Sequence, residues 1–566
     1  MASCWFLRPF FICSIWLCIL TLNGSNEINK SDLHALHAAK SQADKLANLI
    51  YQRFEFHNKD WFQFFLGSSN MPDYAWDILK YKVAKKFVDG NSTFLFIFGG
   101  SSVTAGHDNY YNQSYPLVLE RRLKPVFDAL GITLLVHNIA QGANNCRPSN
   151  LCYEAMGGEN ADFIGWEQSF NCGRSRDVFE LIARVAHWSK GVAYYSASGA
   201  FLPSGCSPSK DKIYWTSEEW TPEKELPGVI KVPPYVLTPE NVTDYRKEQN
   251  EWYLDGNSVG RFTGVYGTLY KGVGPHGFSV WGHSSHKCMN NTGCTAIDKK
   301  GECQDKGGPH WMVQETAWYG QDSKRGKEWH PSAGMHLLRG EVLAFNMVNI
   351  VADAIFMLES NRSSHSKEQL SKLYQEELDK LQATVPERAL YCYPEECAQK
   401  PMCYTNYEPH YNPKQLLSAI LLPIANMTTG SPGWISVRKN GQGASDDPKY
   451  GHMDKRTVYV SQGVGVEISF RVEGVRAKAI RVCGYTHKES LKFAHFFLDP
   501  NVTVSVSDRQ KVYTPTTNQY AATNIKNLAD ECYQVQDVPL GNHVLTIKTD
   551  PKHPTHISYI SHIIIL

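Results

Sequence analysis

An α/β domain with a parallel sheet covered on both faces, followed by an all-β sandwich, is the fold class this sequence predicts. Two changes of rhythm carry that reading. Between Phe94 and Gly199 short apolar runs alternate with helically spaced ones, as in a parallel sheet whose crossovers lie on its faces. From about Thr457 apolar and polar residues alternate one by one in seven or so segments separated by turn residues, as in an antiparallel sandwich of roughly 110 residues. Residues 200–325 follow neither rhythm and read as a long insertion rich in Pro, Gly, Trp and Cys.

Taken in order, residues 1–24 have one positive charge, Arg8, followed by a mostly apolar run from Pro9 to Leu22. That length fits the core of a signal peptide better than a membrane span, which needs about 20 residues. An uncleaved signal anchor is the alternative, with Trp5 to Leu7 extending the run, and no other segment approaches spanning length. Residues 25–90 carry helical periodicity in LHALHAAKSQADKLANLIYQRF and YAWDILKYKVAKKF and read as lead-in helices; Lys80, Lys82, Lys85 and Lys86 read as a solvated face. FLFIF, Phe94 to Phe98, reads as a buried strand. YPLVLERRLKPVFDALG is a helix with Gly131 as its stop and Pro125 as a point of kinking. ITLLVHNIAQG, ADFIGWEQSFN and GVAYYSASG are further strands, the last preceded by the helix RSRDVFELIARVAHWSKG. The longest strongly helical run starts at Ser332, and a charged helix follows around Lys367–Leu381. Residues 361–450 then read as helix and Cys-rich linker, and 451–566 as the sandwich, with Cys483 and Cys532 placed to staple its strands.

Charge and cysteine usage bound the function. Fifty-seven basic against fifty-six acidic residues leave no electrostatic case for a nucleic-acid partner. Aromatics at 12% suit sugar-stacking surfaces, but they suit a large core better. Three of the fifteen cysteines (Cys4, Cys13, Cys18) fall in the leader, leaving an even twelve, as disulfides in an oxidising compartment require. Cys288, Cys294 and Cys303 are spaced unlike a Cys-x2-Cys zinc site, so disulfides are the preferred reading there too. Sequons at Asn91, Asn112, Asn241, Asn290, Asn361, Asn426 and Asn501, with Asn23 and Asn29 near the leader, agree with passage through the secretory route. The expectation is a secreted or lumenal glycoprotein with no metal and no cofactor; no nucleotide-binding glycine loop is present. A membrane is a partner only if the N-terminal segment is an uncleaved anchor.

The chemistry concentrates in Phe94 to Gly106, FLFIFGGSSVTAG. A hydroxyl on a glycine-permitted turn at the C-terminal end of a buried strand sits where α/β sheets expose reactive groups. GSSVTAG, Gly100 to Gly106, resembles the first block of the SGNH (GDSL-type) hydrolases, Gly-Asp-Ser-x-x-x-Gly. Ser102 aligns with the family serine, while Ser101 stands where the family usually has Asp.

The resemblance extends over about 94–350 and implies a three-layer α/β/α, flavodoxin-like domain over 91–360, interrupted by the 200–325 insertion. Asn138-Ile-Ala-Gln-Gly142 resembles the second block, which implies Gly142 as an oxyanion donor. Glu167-Gln-Ser-Phe-Asn171 resembles the third, which implies Asn171 as the amide donor. Trp329-His330-Pro331-Ser332-Ala333-Gly334-Met335-His336 resembles the block that supplies the base, which implies His330 as general base and a structural place for His336. The family's Asp three residues before that histidine is replaced by Lys327. Glu328, two residues before, is the nearest carboxylate and the favoured acid; Asp322 through a looped approach is an alternative, and a Ser–His dyad oriented by a backbone carbonyl is the third option. His107 and Asp108 follow the first block and stand as candidate lining residues.

What the resemblance implies is a secreted serine esterase acting on carboxylic esters, with O-acetyl groups on carbohydrate as the favoured substrate. The C-terminal sandwich, outside the resemblance, is carbohydrate-binding-like in its pattern. Two other readings stay open on the sequence alone: an inactive SGNH-like protein that binds glycans at the cell surface, and a glycan O-acyltransferase using the same serine.

Overall fold

A computed structural model describes residues 29–53, 71, 73–90, 92–106, 111–142, 148–167, 189–196, 235–254, 260–263, 333–384 and 400–423. In the C-terminal part it describes 433–440, 455–475, 479–485, 494–499, 514–515, 530–535, 538–552 and 558–566. The predicted helix at RSRDVFELIARVAHWSKG lies almost wholly outside these residues.

The lead-in forms two helices, α1 (Lys30–Arg53) and α2 (Asp73–Asp89). Asn29 caps α1, its Oδ1 accepting from Ser31 N and Asp32 N, while its own N–H donates to Asp32 Oδ2. Leu36, Ala39, Ala43, Leu46, Ala47 and Ile50 recur at three- and four-residue spacing and make the buried stripe of α1. The lysine cluster on α2 is not simply a solvated face. Lys82 and Lys86, four apart and so on one side of the helix, reach Asp162 at 2.9 and 3.1 Å, a carboxylate only 2% exposed. Asp162 Oδ2, the oxygen Lys86 reaches, also accepts from Leu95 N at 2.9 Å near the start of the first strand.

Strand β1 (Thr93–Gly100) lies between two parallel partners, and both its faces are covered, so its whole apolar run is buried. After it come α3 (Ser102–Ala105), α4 (Tyr115–Ala129), β2 (Thr133–Asn138), α5 (Tyr153–Gly157), β3 (Phe163–Glu167) and β4 (Val192–Ser196). Pro125 sits within α4, which continues through it to Ala129. The insertion contributes α6 (Pro239–Leu254) and the short strand β5 (Gly260–Thr263), neither of which the residue pattern revealed. The sheet order is β2-β1-β3-β4-β5, the first four strands parallel and β5 antiparallel to β4. Connections therefore leave β1 in opposite directions, toward β2 and then toward β3, and the chain parts above the C-terminal end of β1. That topological switch point is where open α/β sheets place their ligands.

The two faces of this sheet are covered differently. Phe94, Phe96 and Phe98 of β1, Val136 of β2 and Phe163 of β3 pack into a helical layer of α1, α2, α4, α7 (Ala333–Asn361) and α8 (Lys367–Thr384). Within α7, Arg339–Asn361 is long and apolar enough to cross a membrane, contrary to the sequence expectation that only the leader comes close. However, 83% of that window is buried inside the molecule, which makes it the central core helix of the domain.

On the opposite face Leu95, Ile97, Ile164, Trp166 and Ala193 meet α5 and the C-terminal β unit. That unit is a two-sheet sandwich, as predicted. Its larger sheet contains β6 (Met402–Glu408), β7 (Gly433–Asn440), β8 (Lys455–Gln462), β10 (Ile480–Tyr485), β12 (Thr514–Pro515), β13 (Asp530–Val535), β15 (Tyr559–Ile560) and β16 (His562–Ile565). Its smaller sheet is β9 (Glu467–Val475), β11 (Ala494–Asp499) and β14 (Gly541–Thr549). β6 and β7 come from the stretch read as linker.

The larger sheet is buried on both sides. Tyr404, Tyr459, Ile480, Ile563 and Ile565 face the smaller sheet, while Cys403, Tyr407, Val458, Val460 and Ile564 face the parallel sheet. Alternation within each strand sorts the two sets. Two disulfides are present among the described residues. Cys483–Cys532 joins directly opposed residues of β10 and β13, the staple the sequence suggested. Cys152–Cys403 ties the residue before α5 to β6 across 251 positions.

Candidate active site

The turn after β1 is built by close backbone approach. A β-carbon on Gly99 would lie 2.2 Å from the Trp166 ring, so only a glycine lets β3 pack against the strand end here. Gly100 has φ +148, and its β-carbon would lie 2.2 Å from the Glu167 carbonyl oxygen. That carbonyl accepts from Ser101 N at 2.8 Å, closing β1 onto β3 at their last pair, Gly100 with Glu167. Ser101 then caps the single-turn helix α3, its Oγ accepting from Val103 N at 3.2 Å, and Gly106 ends α3 in the left-handed region. Within 101–106 Ser102 is the one residue that is not fully buried. The sequence-predicted nucleophile thus stands at the mouth of the switch point, on a turn whose other side chains anchor it from below.

The principal anchor is Glu167, which the sequence marks only as the first residue of the third block. It is 0% exposed, and its Oε2 accepts from Ser101 Oγ at 2.7 Å and from Thr104 Oγ1 at 3.2 Å. Burial pushes its carboxyl pKa up, opposed by the Arg339 guanidinium and by the Ser101 and Thr104 hydrogen bonds. Ser101, where the family resemblance leads one to expect Asp, therefore meets a carboxylate brought in by the neighbouring strand. Thr104 Oγ1 also pairs with Tyr115 OH at 3.1 Å. Burial pushes the Tyr115 phenol up, so it stays neutral across the ordinary pH range.

The end of β2 is fastened to the same turn. Asn138 Nδ2 donates to Thr104 O at 2.8 Å and Ser114 Oγ at 3.3 Å, while Asn138 Oδ1 accepts from Ala140 N at 3.2 Å. Ile139 N donates to Phe98 O at 2.8 Å and Gln141 N to Gly100 O at 3.0 Å, which brings Gln141 and Gly142 beside the Ser102 turn. Two further contacts come from the β unit: Gln141 Nε2 donates to Glu408 O at 2.8 Å, and Arg456 Nη2 donates to Gly142 O.

His336, near the start of α7, is 0% exposed, and its Nδ1 accepts from Tyr115 N at 3.2 Å. Its ring lies nearly parallel to that of Tyr115, with centroids 6.2 Å apart. An Nδ1 that accepts places the ring proton on Nε2, and the residue acts as a brace between α7 and α4.

Of the predicted site residues, Ser102 and Gly142 are thus brought to adjacent strand ends. Asn171, Glu328, His330, Asp322, His107 and Asp108 lie outside the described residues. Glu167 and Arg456 are the contributors that sequence reasoning missed. For Glu167 the available signal was a lone charge closing an otherwise apolar strand, FIGWE; for Arg456 there was none, since Lys455 and Arg456 look like any polar strand start. Among the described residues no cluster of three or more His, Cys, Asp or Glu is arranged to hold a metal.

No protein-family model and no curated protein sequence matches this chain. Among solved structures, the chain is similar to the crystal structure of a two-domain esterase active on acetylated mannans. Identity is 12%, the match covers 85% of this chain and 93% of that one, and the TM-score is 0.29. The same esterase co-crystallised with mannopentaose gives 11% identity, coverage of 85% and 94%, and a TM-score of 0.32. Both TM-scores lie below 0.5, and the fold and site described above stand on this chain's own residues.

Proposed function

We propose that this protein is a secreted serine esterase of SGNH type that removes O-acetyl groups from carbohydrate. The observation that supports it most is the placement of Ser102: partly exposed at the C-terminal end of the central strand, on a turn fixed by a buried carboxylate, with Gly142 on the neighbouring strand end. A serine hydroxyl needs a base and donors for the developing oxyanion. In this reading His330 takes the Ser102 proton as Oγ attacks the acetyl carbon. The N–H groups of Ser102 and Gly142 and the Asn171 amide receive the negative charge. Collapse breaks the bond to the sugar oxygen, which leaves with the proton held by His330, and water repeats the sequence to release acetate from Ser102. Glu328 is the proposed partner of the imidazole. The leader, the sequons and the even count of remaining cysteines support export, and the aromatic-rich insertion supports a glycan substrate.

The test is hydrolysis of p-nitrophenyl acetate and of an acetylated polysaccharide by purified protein and by Ser102→Ala. Turnover by the wild type that falls at least a thousand-fold in the variant supports the proposal, about the loss expected when a triad nucleophile is removed. Equal inertness of the two proteins refutes it and favours the non-catalytic glycan-binding reading. Transfer of acetyl to a sugar acceptor in preference to water would assign the same serine to an acyltransferase.

A further inference from the structure

We infer that the C-terminal β unit is part of the active-site framework rather than an appended module, with Arg456 as a positioning residue that clamps the Gly142 turn. The inference rests on the reading of Gly142 as an oxyanion donor, and it concerns how that donor is aimed.

The N–H of Gly142 belongs to the peptide between Gln141 and Gly142, so its direction is set by whatever holds the residues on either side. Contacts among the described residues do so. Gln141 N donates to Gly100 O at 3.0 Å, tying the turn to β1. Gln141 Nε2 donates to Glu408 O, the last residue of β6, at 2.8 Å. Arg456 Nη2, from β8, donates to Gly142 O. Two of these anchors therefore come from more than 260 residues further along the chain, as the separations of 267 and 314 show.

The clamp is itself rigidly held. Arg456 is 1% exposed, pairs with Tyr407 across β8 and β6, and places its guanidinium 5.8 Å from the centroid of that ring. Burying a guanidinium is costly unless its donors are met, and an apolar residue would fill the same space at less cost. A buried arginine aimed at the carbonyl of an active-site turn is therefore better explained by what it positions than by packing. The β unit cannot swing away from the turn. Its larger sheet shares a core with Leu95, Ile97 and Trp166 of the parallel sheet, and Cys152–Cys403 adds a covalent tie.

The test uses the full chain with Arg456→Met, Arg456→Lys and Gln141→Met. Each is assayed on p-nitrophenyl acetate and by hydrogen exchange over residues 138–152. Removing an oxyanion donor costs about 100- to 1,000-fold in kcat, and misaiming one costs less. Arg456→Met is expected to lower kcat by roughly 10- to 100-fold with KM within about threefold, and to speed exchange locally in that segment. Arg456→Lys, which keeps a cationic donor, is expected to recover part of the loss. Unchanged kcat and exchange in Arg456→Met overturn the inference. So does a joint change in kcat and KM with faster exchange throughout, which is the mark of a merely structural role. If Arg456→Met does not fold, Gln141→Met decides by the same split. If the wild type is inert toward esters, the esterase reading fails on its own, and exchange alone then judges the clamp: local acceleration supports it and no change overturns it.

Discussion

Gly100→Ala probes the geometry on which the serine turn depends. The added β-carbon would lie 2.2 Å from the Glu167 carbonyl oxygen and 2.8 Å from Thr104 Oγ1, at a residue with φ +148. The carbonyl oxygen is backbone and already accepts from Ser101 N at 2.8 Å, so it can retreat only if β1 and β3 part at their last pair. Backbone strain contributes about 1 kcal/mol, the lost hydrogen bond about 1 and the overpacking about 1–3, which together give a destabilisation of about 3–5 kcal/mol. Gly131→Ala is the control, because Gly131 also has positive φ (+71) but nothing lies within 4 Å of its β-carbon. It is expected to cost about 1 kcal/mol, from strain alone. Urea unfolding followed by tryptophan fluorescence, paired with the ester hydrolysis rate, measures both effects. Gly100→Ala should also lower the rate by about 100-fold through displacement of Ser102, while Gly131→Ala leaves it unchanged. If the two variants are destabilised alike, the close approach of Gly100 to Glu167 is wrong, and with it the construction of the turn.

Three further outcomes follow from the same structure. Glu167→Leu removes the acceptor of the Ser101 and Thr104 hydroxyls and should destabilise by about 2–4 kcal/mol, whereas Glu167→Gln keeps an acceptor and should cost about 1 kcal/mol, both read from urea midpoints. His562 is fully buried, and burial together with nearby Arg456 lowers its pKa to about 3. Below the usual histidine range the unfolded chain takes up a proton that the folded one refuses, so stability should fall as pH drops from about 6.5 toward 3, by roughly 1.4 kcal/mol per pH unit from this group. Burial depresses His137 and His410 in the same direction, whereas Glu167, whose pKa is raised, contributes stability that is lost as pH rises; His562→Asn should therefore flatten the acid limb of the urea midpoint measured from pH 6.5 to 4. Replacing Cys152 and Cys403 by serine releases a cross-link spanning 251 positions, which chain entropy values at about 5 kcal/mol, and calorimetry should show the loss as a clear fall in Tm.

Local pattern was enough for the elements that local pattern controls. The run Phe94 to Phe98 announced a strand buried on both sides, and its glycine pair announced the turn, because no other residue permits that approach to Trp166 and Glu167. The one-by-one alternation after Thr457 announced the sandwich, and Cys483 and Cys532 proved to be opposed in register. What could not be read depends on pairing across hundreds of residues. Asp162 looks like a loop residue until Lys82 and Lys86 are seen to converge on it. MCYTNYE, Met402 to Glu408, sits in a Cys-rich stretch with no run of β-branched residues. It becomes a strand because both its faces are buried, Tyr404 against the smaller sheet and Cys403 and Tyr407 against the parallel one. Arg456 belongs to the same class, since its meaning lies in a carbonyl on another unit.

Ser102, and not the neighbouring Ser101, is the proposed reactive alcohol. Ser101 is 0% exposed and committed to Glu167, while Ser102 is the residue of the turn that reaches solvent. Treatment with a fluorophosphonate followed by peptide mass spectrometry tests this directly. A single adduct on Ser102, absent from Ser102→Ala, is expected. An adduct on any other residue, or none at all in a preparation that hydrolyses esters, would contradict it.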